Sequence, residues 1–352
     1  MVIQIIIGFI GLVLIAIPFS KAKKKIQIKS IALAIVFQIL LAFLLIEIPV
    51  INDVFFYFSL GVEKLQLATN AGTSFVFGYL SMGVGEELIF AFKILPLIIV
   101  ISSLTALLWY LNILPKIIKA ISFIFEKIFN IGGPVGLGAT ANIIMGQVEA
   151  PLLVRPYLSK MSNKELLILM TAGMSTVSGS IMIALVSMLQ IQFENINLVQ
   201  HLITASILSI PAAIMYANIL IPSDSVTDYK ESKISKIYES SMDAITKGTR
   251  DGLEIAVNVG AILIAFIALV YLVDSALALL PIINGQNVSL QMILGFFFYP
   301  IVWLMGVPTS EIVPVSELLG IKTALNEFVA YGQLASLAVS YTHLTLPTSF
   351  SV

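Results

Sequence analysis

The stretch Asn142-Ile143-Ile144-Met145-Gly146-Gln147-Val148-Glu149-Ala150-Pro151 decides how this chain folds. Upstream of it, Gly132, Gly133, Pro134, Gly136 and Gly138 open an apolar half that runs to Met145. A polar knot follows at Gly146, Gln147, Val148 and Glu149, then Pro151 and a second half ending at Arg155 and Tyr157. Neither half can cross a hydrocarbon core, which needs roughly 20 apolar residues as helix. A carboxylate held at that depth either pairs or faces a functional cavity.

The surrounding sequence supplies the membrane. Of 352 residues, 59% are hydrophobic and 11% charged, with a mean hydropathy of +1.02. A soluble chain is about 45–50% apolar and about 25% charged, so too few polar residues remain here to cover a water-facing surface. Apolar runs of spanning length cover Val2 to Phe19, Ser30 to Val50, Phe90 to Leu114, Glu165 to Leu189, Leu202 to Ile221 and Leu253 to Leu280. The first run has no basic stretch before it and no small-residue cleavage site, so it reads as a helix that stays rather than a signal peptide.

Lysine and arginine give the orientation, because cytoplasmic loops are enriched in both. Lys21, Lys23, Lys24, Lys25 and Lys29 place the first loop in the cytoplasm and the N-terminus outside. The stretch from Ile51 to Ile89, with only Lys64, is then external, and Lys116, Lys119 and Lys127 are again cytoplasmic. Gln192 to Gln200 has no Lys or Arg, whereas the loop after the fifth run carries Lys230, Lys233, Lys236, Lys247 and Arg250. Since Arg155, Lys160 and Lys164 share the cytoplasmic side with Lys116, the Gly132–Lys160 segment must enter and leave by one face. It is expected to be a re-entrant helical hairpin with its tip near the midplane.

A second such segment runs from Gln291 to Leu337. Its apolar half, Met292 to Met305, meets Gly306-Val307-Pro308-Thr309-Ser310-Glu311, and Lys322, Asn326 and Glu327 follow before an apolar end. This hairpin would enter from outside, opposite to the first, and both tips carry a Met-Gly step (Met145-Gly146 and Met305-Gly306). Short Gly/Pro-interrupted segments in corresponding halves point to an inverted-repeat transporter with a midplane site. Irregular backbone at that depth must be buried in protein or line a cavity.

The chemistry-bearing residues are few. Gln147 offers donor and acceptor and Glu149 strong acceptors, a pair suited to a ligand with amide and hydroxyl groups. The competing reading ties Glu149 to Arg155 for structure alone. Thr171 to Ile181 interrupts the fourth run, with Gly173 and Gly179 bracketing hydroxyl residues. Each glycine weakens a helix by up to about 1 kcal/mol. Freed carbonyls with a Thr or Ser hydroxyl are hard oxygen ligands that suit Na+, and a small-residue packing interface is the alternative. Glu327 is the carboxylate of the second hairpin, with Glu311 and Glu317 as competitors and Asn258 as a weaker polar candidate. Cysteine is absent and His201 and His343 are the only histidines, so no thiolate metal site, redox motif or nucleophile–base pair is provided. A net charge of −1 and a pI near 6.2 leave no nucleic-acid footprint.

The run from Asn142 through Pro151 to Leu158 resembles the first hairpin of the concentrative nucleoside transporters. Gly173, Ser175-Thr176-Val177-Ser178-Gly179-Ser180, Phe75-Val76-Phe77-Gly78 and Gly320 through Asn326-Glu327 to Tyr331 are similar to that family as well. The resemblance covers most of the chain, from about the second apolar run to Tyr331. It implies sodium-coupled nucleoside uptake by a homotrimer whose transport domain moves against a scaffold. It places Gln147, Val148, Glu149 and Ile181 against the base and Glu327 against the ribose. It also implies a Na+ site of backbone oxygens from Asn142, Met145 and Val177, with Thr176 giving carbonyl and hydroxyl. Val148 stands where many members carry Thr or Ser. The family also has a further broken helix and a final helix where this chain has the polar, Pro-containing tail 340–352, which is expected to be foreign to the fold.

The expected fold is therefore all-α: a polytopic membrane protein with inverted repeats, two re-entrant hairpins and discontinuous helices, in a bacterial inner membrane. Residues 1–130 would hold the N-terminal helices and scaffold with an interfacial helix, and 131–190 the first hairpin and broken helix four. Residues 191–290 would hold helices five and six, and 291–339 the second hairpin. Proton coupling through Glu149 or Glu327 is the alternative within transport. A membrane enzyme or sensor using the same carboxylates is the alternative outside it.

Overall fold

In lipid each backbone N–H and C=O must find its partner within the chain, and helices achieve this segment by segment. The computed structural model describes residues 2–82, 90–147, 149–190, 193, 196–223, 237–282, 285 and 287–340, and the helices found among them account for most of those residues. The first six are α1 (Val2–Ala16), α2 (Ile28–Glu47), α3 (Pro49–Phe77), α4 (Phe90–Lys93), α5 (Leu95–Tyr110) and α6 (Ile113–Phe129). Next come α7 (Gly133–Ala141), α8 (Glu149–Leu153), α9 (Arg155–Leu158), α10 (Asn163–Ser175) and α11 (Gly179–Leu189). The chain continues with α12 (Leu198–Leu220), α13 (Ser241–Leu277), α14 (Leu290–Leu304), α15 (Ile312–Ala324) and α16 (Glu327–Ser340).

Among the described residues five segments are long and apolar enough to cross a membrane: Ile28–Glu47, Phe90–Tyr110, Asn163–Leu189, Leu198–Leu220 and Ser241–Leu277. They coincide with the second to sixth apolar runs of the sequence. In the first run the α-helix stops at Ala16 and Pro18 lies in a short 3-10 turn, Ile17–Phe19. The stretch 51–77, read as an external connection, is helical throughout. α3 carries Asp53, Glu63 and Lys64 and is not among the crossing candidates.

The described chain separates into two compact units. The larger comprises Ile15–Ala184 and Asn197–Glu254. Its central element is α12, against which α2, α3, α7 and α10 pack. Ile210, Ile214, Ala217 and Ile219 of α12 are wholly buried or nearly so. Amphipathic α6 buries Leu114, Ile118 and Phe125 and leaves Lys116, Lys119 and Lys127 exposed. Phe37 packs nearly perpendicular to the Phe125 and Phe129 rings, with centroids 6.1 and 5.4 Å apart. α7 is nearly all buried because its glycines bring it close on two sides. A Cβ at Gly136 would stand 2.7 Å from Glu126 Cγ of α6, and one at Gly138 would stand 2.6 Å from Leu169 Cδ1 of α10.

The smaller unit comprises the described residues of Met1–Leu14, Leu185–Ile196 and Ile255–Phe350. Here α14 and α15 pack along their length, with Val302, Val307 and Ile312 fully buried between them. The start of α1 lies on the end of α14: Gln4 Nε2 donates to the Trp303 carbonyl at 2.9 Å. A Cβ at Gly8 would fall 1.9 Å from the Leu304 carbonyl oxygen. Backbone cannot yield as a side chain can, so Gly8→Val should lower stability by about 1–3 kcal/mol or more, the range for overpacking. Thermal unfolding of the detergent-solubilised protein reads this directly, and an unchanged midpoint would refute the close approach.

One expected boundary moves. The Gly306–Glu311 stretch, expected to be the second hairpin tip, is the turn that joins α14 to α15, with Gly306 in the left-handed region at φ 87°. The break that precedes Glu327 lies at Leu325–Asn326, where Leu325 leaves the helix at φ −114°, ψ −93°. The order α6, α7, break, α8 is thus matched by α14, α15, break, α16, and each second half begins with a glutamate, Glu149 and Glu327. The two Met-Gly steps occupy non-equivalent places in this order.

Candidate functional site

In the larger unit α7 ends at Ala141 and the chain runs non-helically to Gln147. Asn142 sits at the turn, 1% exposed. Its Nδ2 donates back to the Gly138 carbonyl at 3.1 Å. Its Oδ1 is buried and has no partner. A buried acceptor left unpaired is costly, typically about 1–3 kcal/mol, so this oxygen marks a place that accepts a donor or a cation. The Met145 amide closes the turn on the Ala141 carbonyl at 2.8 Å. Glu149 folds back on the same loop: its carboxylate accepts from the Gly146 amide.

The broken helix lies against this loop. A capping box starts α10: Ser162 N donates to Glu165 Oε2 at 2.8 Å, and Glu165 N donates to Ser162 Oγ. That contact accounts for the buried Glu165 as a structural carboxylate. At the other end Thr176 is extended, at φ −104° and ψ 156°, and its hydroxyl donates to the Ala172 carbonyl at 2.9 Å. The Val177 amide donates to Ser206 Oγ of α12 at 3.2 Å, and the Gly179 amide donates to the Ile144 carbonyl at 3.0 Å. The absence of a side chain at Gly173 permits the approach. A Cβ there would sit 3.1 Å from Gln147 Cβ and 3.4 Å from Asn142 Oδ1.

Asn142, Met145, Thr176 and Val177 therefore belong to two segments in contact. The loop brings Gln147, exposed at its tip, and half-buried Glu149 beside them. Ile181 follows within the first turn of α11 and is half-buried. Val148 lies outside the described residues. Glu327, half-buried, belongs to the smaller unit as the first residue of α16. Asn326 caps that helix, its Oδ1 accepting from the Val329 amide at 3.0 Å. Among the described residues the one ion pair is Lys247–Asp243, so Glu149 is not held by Arg155.

Three contributors were missed in the sequence. The Asn142 side-chain oxygen is one and Ser206 is another. The third is Asp251, which lines a small cavity of about 60 Å³ with Ser102, Trp109, Met145, Glu149 and Tyr238. Burial pushes the Tyr238 hydroxyl up to about 12, with the carboxylates of Asp251, Glu149 and Asp243 adding to the shift in that order. Asp251 reads as one more loop charge until α13 is seen to begin at Ser241, three turns before the apolar run. Gly248 and Asp251 of that helix both line the cavity.

Comparison with known proteins covers nearly all of the chain. Residues 7–80 match the family described as Na+ dependent nucleoside transporter N-terminus, and residues 201–348 match its C-terminus. Residues 91–192 match a Gate family described as nucleoside recognition. An uncharacterized transporter of Bacillus subtilis, YutK, is 34% identical over 337 residues, 94% of this chain and 81% of that protein. Nucleoside permease NupC of Helicobacter pylori is 33% identical over 337 residues, 94% of this chain and 78% of that protein. The solved structure of CNTnw in an inward-facing substrate-bound state superposes with a TM-score of 0.86 at 32% identity, covering 99% of this chain and 84% of that one.

Proposed function

The chain belongs to the concentrative nucleoside transporter family, a family of transporters and not enzymes, and on that premise we propose that it takes up nucleosides in symport with Na+. It is a multi-pass membrane protein; the bacterial inner membrane, an external N-terminus and a trimeric assembly are part of the proposal. The observation that carries sodium coupling is the unpartnered, buried Oδ1 of Asn142 at the junction of loop and broken helix. Na+ would be held there by oxygens alone: the carbonyls of Asn142, Met145 and Val177, the carbonyl and hydroxyl of Thr176, and Asn142 Oδ1. Bound Na+ supplies the coupling charge.

The residues then work as follows. Gln147, Val148, Glu149 and Ile181 would meet the base, and Glu327 the ribose hydroxyls. The 142–149 loop carries ligands for both ion and base, so ordering it for one lowers the entropic cost of binding the other. Such coupling is reciprocal in affinity. Alternating access moves this loaded site from one face of the membrane to the other.

Uptake of radiolabelled nucleosides into proteoliposomes tests the reading. An inward Na+ gradient should drive accumulation; accumulation driven equally by a pH gradient without Na+ would assign the coupling to protons. Within this site Thr176→Val removes one hydroxyl while leaving the Thr176 amide bond to the Ala172 carbonyl, 3.1 Å, in place. Loss of the hydroxyl should amount to about 1–3 kcal/mol. The Na+ concentration for half-maximal uptake should rise roughly fivefold or more, and an unchanged value would remove Thr176 from the ion site.

A further inference from the structure

The part of α13 that belongs to the larger unit, up to Glu254, carries two glycines one turn apart, Gly248 and Gly252. Both bring it hard against α5. A Cβ at Gly248 would stand 2.7 Å from Ala106 Cβ and 2.8 Å from the Ser102 carbonyl oxygen, and one at Gly252 would stand 2.8 Å from Ile99 Cα. Ser103 Oγ donates across the same contact to the Ile245 carbonyl at 3.4 Å. Small residues at this spacing let two membrane helices approach closely. The contact fixes the backbone of Asp251, which lies between the two glycines, at the wall of the cavity of about 60 Å³. Glu149 of the loop, Ser180 of α11, Ser102 of α5 and Tyr238 form other walls.

This cavity is rich in acceptors. Two carboxylates, Asp251 and Glu149, line it, and no lysine, arginine or histidine is found among its described walls. Glu149 accepts from the Gly146 amide of its own loop. Among the described residues Asp251 forms no hydrogen bond and no ion pair, and Lys247, one turn before it, is held by Asp243 at 2.9 Å. Tyr238 registers the negative field: its hydroxyl is pushed up to about 12, by burial first and then by Asp251, Glu149 and Asp243. A site that encloses a small ligand measures roughly 300 Å³ or more. This cavity is far smaller and admits one edge of a molecule. Carboxylates only accept, so the edge that suits it carries a hydrogen-bond donor.

We propose that the cavity receives the exocyclic amino group of the nucleobase, and that Asp251 sets a preference for amino-bearing bases, as in cytidine and adenosine, over the keto bases of uridine and inosine. The inference rests on the nucleoside reading above and deepens it. Glu149 belongs to the proposed base contacts, and Ser180 directly precedes Ile181, another of them. An amino group donates to the Asp251 carboxylate, and a bond to an ionised acceptor is roughly twice as strong as a neutral one. A keto oxygen in the same place sets acceptor against acceptor. Selectivity then comes from repulsion as well as from attraction.

Competition binding of cytidine against uridine, and of adenosine against inosine, to the purified full chain reads the proposal. Each pair differs only in the amino or keto group and the ring-nitrogen proton that goes with it. Asp251 keeps part of its surface exposed, so wild type should favour the amino member of each pair by roughly fivefold, below the full value of a buried charged bond. Asp251→Asn offers the keto oxygen a donor and should remove most of both preferences. Glu254→Gln, exposed on the same helix and outside the cavity, should leave them unchanged. Should Asp251→Asn fail to accumulate, Asp251→Ala, with the best helix former at that position, carries the same readout. Unchanged preferences in a folded Asp251 variant, or equal losses for all four nucleosides, would overturn the inference and leave nucleoside transport standing. An equal effect from Glu254→Gln would reduce it to general charge and overturn it as well. A variant that keeps its preferences but needs more Na+ for half-maximal uptake would make the cavity a cation site instead. Wild type that binds none of the four would overturn the nucleoside reading itself, and this inference with it.

Discussion

Replacing Glu327 with Gln is expected to weaken ribonucleoside binding by about tenfold to over a hundredfold. A carboxylate that accepts from a sugar hydroxyl makes a charge-assisted bond, about twice as strong as a neutral one. Its loss is worth about 1.5–3 kcal/mol, which converts to that range of affinity. The substitution keeps size and shape. It leaves the start of α16 intact, because the cap is Asn326, whose Oδ1 holds the Val329 amide at 3.0 Å. A deoxynucleoside lacking the bonded hydroxyl has less to lose and should be affected less. Competition binding of matched ribo- and deoxynucleosides to wild type and Glu327→Gln separates the cases. Equal losses for every analogue would mean that Glu327 holds the fold and does not touch the sugar.

Local signals explain what could be read in advance. Gly146, Gly173 and Gly179 weaken helix where they stand, and the breaks at 142–147 and 176–178 lie beside them. The five long apolar segments were equally plain, since crossing length is a property of one segment alone. The second break escaped because neither Leu325 nor Asn326 is a helix breaker by composition, while Gly306 and Pro308 nearby are conspicuous. Asn followed by an acidic residue is a helix-start signal, and weighting it over the Gly-Pro pair would have found α16. Asp251 and Ser206 were invisible for a different reason. Each acquires a role only through packing, Asp251 by reaching the Glu149 cavity from α13 and Ser206 by receiving the Val177 amide on α12. No periodicity within one helix states which neighbour it will meet.

The same distinction sets the last expected result, at a residue whose backbone was anticipated and whose side chain was not. Asn142→Ala should raise the Na+ required for half-maximal uptake at least about tenfold, more than Thr176→Val. Two losses combine. In the proposed site the buried Oδ1 acceptor is worth about 1–3 kcal/mol to the ion, and the Nδ2 bond to the Gly138 carbonyl is worth about 0.5–1.5 kcal/mol. The second loss frees the carbonyl that fixes the loop, so the Met145 carbonyl, a ligand in the proposed site, loses its placement as well. A simple folding defect would also depress uptake, and ligand linkage tells the two apart. An ion that binds the native state raises the unfolding midpoint as its concentration rises. Wild type should therefore gain thermal stability from NaCl over an equal ionic strength of choline chloride. Asn142→Ala should gain much less, whatever its midpoint in choline. If the variant is stabilised by Na+ as strongly as wild type, the orphaned oxygen is not a sodium ligand, and the ion site must be sought away from this junction.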